Sequence, residues 1–211
     1  MNMVQFNKQY GSVQARKKQS GFSLVELMVT LVILSILLAT GLPAMRSFLT
    51  NNKVSNISNE FLSAINYARS EAISRNGRVI ICKSAVPVNP PVNFVPSCST
   101  SGSDWENGWI IFQDVASGST YNGTYDNGTD VLLRVRNPID GNYTIGSNNN
   151  RRSFTFNSTG LASVANSTTM TIAPVEGGAS SSSRAICIDS TGRGRVIDNT
   201  ANCNAGTVTE R

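Results

Sequence analysis

The chain predicts an α+β fold: a long N-terminal helix, half membrane-spanning and half amphipathic, packed on a C-terminal antiparallel β-sheet domain. Three features carry that expectation. Residues 22–42 are 21 consecutive positions with no charge except Glu26. Apolar residues then recur at steps of three and four between Val54 and Ala72. Beyond Arg78 the chain breaks into short β-type runs divided by Gly-, Asn-, Ser- and Pro-rich connections.

The apolar run comes first. As a helix it spans roughly 31 Å, about the thickness of a bilayer's hydrocarbon core. A secretory signal would be shorter, about 7–15 apolar residues, with its cleavage site after them. Here no A-x-A-like site follows the run, and Gly21 precedes it. A plain anchor explains the length but not Glu26, since a carboxylate within the bilayer costs on the order of 2.5 kcal/mol or more without a partner. Cleavage after Gly21 accounts for both: Phe22 becomes a charged amino terminus one helical turn from Glu26, and the anchor stays on the mature chain. Arg16, Lys17 and Lys18 just before the run hold that end on the cytoplasmic side. The C-terminal part then lies where disulfides persist.

The string Gly21-Phe22-Ser23-Leu24-Val25-Glu26-Leu27 resembles the class III leader junction of type IV pilins and type II secretion pseudopilins. Pro43 also falls where many pilins carry a proline, at the end of the first membrane-spanning stretch. The resemblance implies cleavage after Gly21 by a prepilin peptidase, N-methylation of Phe22, and pairing of Glu26 with the terminal amine of a neighbouring subunit during assembly. The expected division is a class III leader at 1–21, a transmembrane and assembly helix at 22–43, an amphipathic helix at 44–76 and a β-rich domain at 77–211. Losing the leader removes Lys8, Arg16, Lys17 and Lys18, which leaves 14 basic against 13 acidic side chains, a net of +1. The basic balance of the whole sequence therefore says little about partners.

Val54, Ile57, Phe61, Ile65, Ala68 and Ala72 line one face of the second helical stretch, a stripe suited to lying against a sheet. Pro43 and the Asn51-Asn52 region are expected to bend or loosen the helix. Asn76-Gly77 is the expected stop, because both residues tolerate the left-handed conformation. Strands are expected at 78–82, 108–113, 131–135, 153–157, 170–173, 185–188 and 195–197. Between them, 87–96 and 117–128 read as loops, and 177–183 as a flexible low-complexity connection.

The helix end Ala68-Arg69-Ser70-Glu71-Ala72-Ile73, the strand ending Ile80-Ile81-Cys82, and the later Trp105, Gly108-Trp109-Ile110-Ile111-Phe112 and Asp114 together resemble the minor pilin and pseudopilin family of FimT, FimU and GspH. Trp105 and Trp109 are expected to pack over the sheet.

Four cysteines, Cys82, Cys98, Cys187 and Cys203, allow three pairings. The two local ones, Cys82–Cys98 and Cys187–Cys203, are favoured, because each closes a loop of about 16 residues and pins a long connection to a strand, worth about 3 kcal/mol. The chain has no histidine and no C-x-x-C spacing, which argues against zinc and against a nucleophile activated by the commonest base. Asp104, Glu106, Asp114, Asp126, Asp130 and Asp140 read as solubilising loop acids. No phosphate-cradling glycine loop occurs. The expectation is a non-enzymatic protein with no cofactor and no metal.

Near the C-terminus stands Ser190-Thr191-Gly192-Arg193-Gly194-Arg195-Val196. Two arginines around a glycine in a turn-to-strand segment suit phosphate contacts. Gly192-Arg193-Gly194-Arg195 resembles the G-R-x-R element associated with DNA binding in FimT proteins of naturally transformable bacteria, and Arg184, Arg151 and Arg152 are candidates to extend it. With a mature net charge of +1, any such patch is local. The family implies, as partners, a prepilin peptidase, other major and minor pilins, the bacterial inner membrane and, through this motif, double-stranded DNA. It implies a single-pass inner-membrane protein with a periplasmic C-terminal domain, later carried into a pilus. A purely structural FimU-like minor pilin and a GspH-like pseudopilin of type II secretion stay open as alternatives.

Overall fold

A computed structural model describes residues 21–85, 91, 93–101, 105–118, 120–139, 141–164, 167–175, 182–198 and 203. Residues 1–20 of the expected leader at 1–21, most of the 177–183 connection, much of 87–96, Asp104 and Asp140 lie outside the described residues. The chain divides into two units, Met1–Ala44 and Met45–Arg211.

Helix α1 is Leu24–Ser74, and neither Pro43 nor Asn51-Asn52 ends it. Ser23 starts it: its hydroxyl accepts the Glu26 amide at 3.2 Å and its carbonyl accepts the Leu27 amide at 3.2 Å, the arrangement of an N-cap. In the first unit the described side chains are exposed, from Phe22 at 86 % to Leu38 at 51 %. The hydroxyls of Thr30, Ser35 and Thr40 donate to carbonyls one turn back, which leaves this stretch with few unmet polar groups. By length and composition α1 is able to cross a membrane.

In the second unit every member of the expected stripe, Val54, Ile57, Phe61, Ile65, Ala68 and Ala72, is buried. Asn76 ends the helix with φ 48°. The Gly77 amide reaches back to Ala72 O and the Asn76 amide to Ile73 O, which is a Schellman closure.

Among the described residues eight strands follow: β1 Arg78–Lys83, β2 Trp109–Asp114, β3 Val131–Arg136, β4 Tyr143–Ser147, β5 Ser153–Phe156, β6 Thr168–Pro174, β7 Arg184–Ile188 and β8 Gly194–Asp198. They form the expected antiparallel β-sheet domain, as two four-stranded sheets ordered β3-β2-β1-β5 and β4-β6-β7-β8. Strand β4 was not expected. It is an edge strand with a glycine, and Ile145 is its one fully buried residue, so no alternation shows in its sequence.

α1 and both sheets contribute to one core. At its centre Phe61 stands edge-on to Trp105 (5.4 Å, 88°) and to Trp109 (5.2 Å, 88°), the geometry ring quadrupoles favour. The Trp105 indole donates to Arg151 O at 2.9 Å. Gly108 has φ +86°, and a Cβ there would lie 2.0 Å from Arg136 O, so the turn into β2 admits only glycine. Ile80, Cys82, Ile110 and Phe112 form a smaller core on the other face of the first sheet. Burial on both faces explains the unbroken apolar runs of β1 and β2. Cys82–Cys98 and Cys187–Cys203 are disulfides, each spanning 16 residues.

Candidate functional sites

The first site is the head of α1. Gly21 and Phe22 are exposed, and a Cβ on Gly21 would meet nothing within 4 Å. Glu26 lies in the first helical turn, exposed, with no cationic partner among the described residues. A carboxylate there is favoured by the helix dipole by about 0.3–1 kcal/mol, and it stays available to a charge from outside the chain. Sequence reasoning missed Ser23, although Ser23-Leu24-Val25-Glu26 carries the S-x-x-E spacing of a capping box.

The second site is the β7–β8 hairpin. Its turn is held by Asp189: the Gly192 amide donates to Asp189 O at 3.0 Å and the Thr191 amide to Asp189 Oδ1 at 2.9 Å. Gly192 and Gly194 face the helix. A Cβ on Gly192 (φ +75°) would lie 2.2 Å from Gly160 O and 3.3 Å from Arg69 Cδ, and one on Gly194 would lie 2.5 Å from Leu62 Cδ1. Successive side chains along a strand alternate between faces, so Arg193 and Arg195 project the other way, and both are exposed. The glycines of the motif are there because the backbone packs directly on α1 and on the turn before Leu161. The two arginines stay exposed on the opposite face.

Of the candidates to extend this pair, Arg184 and Arg152 do not join it. Arg184 pairs with Asp198, whereas Arg195 pairs with Cys187. Arg184 thus shares a face with the core residues Ile186 and Ile188 while Arg195 lies on the opposite one, about 10 Å along the strand. Arg152 is tied instead to Thr100 O. Arg151 does approach: its Nη1 donates to Ser163 O at 3.0 Å, and the preceding residue, Ala162, donates its amide to Ser190 O at 3.0 Å in the hairpin turn. Burial lowers the Arg151 pKa from its ordinary value.

Two of the six acids, Asp130 and Asp114, hold backbone amides in place. Asp130 accepts the Val115 and Asp126 amides, both at 2.9 Å, and Asp114 accepts the Gly123 amide at 3.2 Å. Arg78 Nε lies 3.3 Å from Asp114 Oδ2 without hydrogen-bond alignment. Burial pushes the Asp114 pKa up against the pull of Arg78. Among the described residues no group of three or more acidic or cysteine side chains is placed to hold a metal.

An exposed apolar helix headed by glycine, phenylalanine and a carboxylate, joined to a disulfide-bonded α+β unit, defines the class of pilins and pseudopilins. Comparison with family models agrees: residues 16–42 match the prokaryotic N-terminal methylation motif, and residues 58–192 match the type II transport protein GspH. The chain belongs to the GspH family, the minor pilins and pseudopilins. Among solved structures it is similar in fold to the type IV minor pilin FimU of Pseudomonas aeruginosa, with 20 % identity over 73 % of this chain and 95 % of that one and a TM-score of 0.52. The minor pseudopilin EpsH of the Vibrio cholerae type 2 secretion system is a weaker match, with 9 % identity over 70 % of this chain and 98 % of that one and a TM-score of 0.41. Comparison with curated protein sequences gives no match.

Proposed function

We propose that this chain is a minor pilin of a type IV pilus that takes part in assembly and holds extracellular double-stranded DNA for uptake in natural transformation. Prepilin peptidase removes residues 1–21 and methylates Phe22. Residues 22–43 anchor the chain in the inner membrane with the β domain in the periplasm. The new amine at Phe22 and the carboxylate of Glu26 then guide docking onto other major and minor pilins, which lets the acid leave the membrane core as half of an ion pair. No enzymatic step is assigned.

The observation that carries the DNA reading is the division of labour in the β7–β8 hairpin, where packed glycines alternate with the two exposed arginines, Arg193 and Arg195. Such donors suit phosphate oxygens and need no base readout. A gel shift with the detergent-solubilised full chain tests it. Wild type retards duplex DNA, Arg193→Ala with Arg195→Ala loses the retardation, and added salt weakens it. Retardation unchanged in the double variant, or indifferent to salt, would sink the DNA reading. The family's description as a type II transport protein supports a second reading, a pseudopilin of type II secretion, which predicts no DNA retardation by the wild type.

A further inference from the structure

We infer that the phosphate-binding surface extends beyond the hairpin, and that Arg69 and Arg151, far apart in sequence, are its third and fourth cations. This inference rests on the DNA reading. Its basis is the seam of residues 160–163, against which the hairpin turn docks. Arg69, from the last turns of α1, donates Nε to Gly160 O at 3.0 Å. Arg151, from the segment before β5, donates Nη1 to Ser163 O at 3.0 Å. Between those two carbonyls, the Ala162 amide holds Ser190 O of the hairpin turn at 3.0 Å. Close packing of Gly192 on both Gly160 O and the Arg69 side chain completes the junction.

The seam itself is rigid. Asn157 Oδ1 accepts the Thr159 amide, the Thr159 hydroxyl and the Leu161 amide at 2.8–3.0 Å, and Gly160 supplies the positive φ that the turn requires. Each of the two arginines spends one N–H on a carbonyl, and a guanidinium has five. Both are partly exposed; Arg151 Nε is buried, so the donors left for an outside oxygen there are those of its Nη atoms. Of the nearby acids, Glu71 pairs with Arg75, and the Asp189 carboxylate accepts the Thr191 amide and hydroxyl. Arg69 lies on the α1 side of the hairpin and Arg193 on the other, with Arg151 across the seam. A ligand meeting all of them therefore runs across the hairpin turn rather than along β8. That footprint fits the backbone of a duplex, read by charge and shape.

Counterion release separates this surface from the hairpin alone. Four neutralised phosphates give a slope of log K against log salt near about −3.6, and two give about −1.8. From 50 to 200 mM salt the affinity then falls roughly 150-fold in the first case and roughly 12-fold in the second. The measurement is fluorescence anisotropy of a labelled mixed-sequence duplex, titrated with the full chain in neutral detergent. A slope near the steeper value is expected. A slope at or shallower than the two-phosphate value would overturn the four-cation surface and leave the hairpin reading standing. Absence of any binding would overturn both.

Leu161 gives an independent variant. It is 50 % exposed on the seam, so Leu161→Glu adds an opposing charge without emptying the core. Several-fold weaker binding with an unchanged unfolding midpoint is expected. Unchanged binding would contradict the inference.

Discussion

Alanine at position 192 separates what the glycines of the Gly192-Arg193-Gly194-Arg195 motif do from what its arginines do. Gly192 has φ +75°, and its missing Cβ would sit 2.2 Å from a backbone oxygen, Gly160 O, that the Asn157 turn holds in place. The left-handed conformation costs a non-glycine residue about 1–2 kcal/mol. Forcing a methyl into a packed seam costs about 1–3 kcal/mol more. Gly192→Ala should therefore destabilise the chain by about 2–5 kcal/mol. At Gly194 the clash, 2.5 Å, is with the end of the flexible Leu62 side chain and φ is ordinary, so Gly194→Ala should cost about 1 kcal/mol. Arg193→Ala and Arg195→Ala should leave stability unchanged, because both side chains are exposed. Urea unfolding followed by fluorescence of the buried Trp105 and Trp109 reads all four variants. Should Gly192→Ala unfold with the wild-type midpoint, or the arginine variants lose as much as it does, the assignment of the glycines to packing is wrong.

Phe61→Ala should cost about 3–5 kcal/mol, since it empties the space between the two indoles, and tryptophan emission should shift red in the folded state; a loss below about 1 kcal/mol would mean that the ring is not central. Replacing Cys187 and Cys203 together by serine should lower stability by about 3 kcal/mol, read by unfolding under non-reducing conditions. Burial raises the Asp114 pKa in the folded chain, so ionising this group costs more folded than unfolded, and its contribution to stability falls as pH rises from about 4. Asp114→Asn should accordingly gain relative to wild type at pH 7 compared with pH 3, while its amide oxygen still accepts the Gly123 amide. A gain that is larger at the acid end would reverse the sign argued here.

Much of this molecule was legible because its signals are local. The α1 stripe, the Asn76-Gly77 stop and the apolar runs of β1 and β2 each follow from a few adjacent residues. The division into two sheets does not, because Phe156 and Met170 look alike in sequence whichever sheet they serve. Strand β4 escaped because Tyr143–Ser147 is an edge strand, held by its pairing to β6 rather than by a buried face. At the hairpin, the four residues of the motif were visible, but the reason for the glycines was not. It lies in Gly160, Arg69 and Leu62, which are distant in sequence. The place of Arg184 was hidden for the same reason. Its proximity in sequence to Arg193 hides a change of sheet face that only the register with Asp198 reveals.

The most direct measurement is the intact mass and N-terminal sequence of the chain extracted from membranes of cells that express it with a prepilin peptidase. A mature chain beginning at N-methylated Phe22, with Glu26 five residues in, is the expected result. A chain that still carries residues 1–21, or one cut on the far side of the apolar run, would contradict its assembly as a pilin.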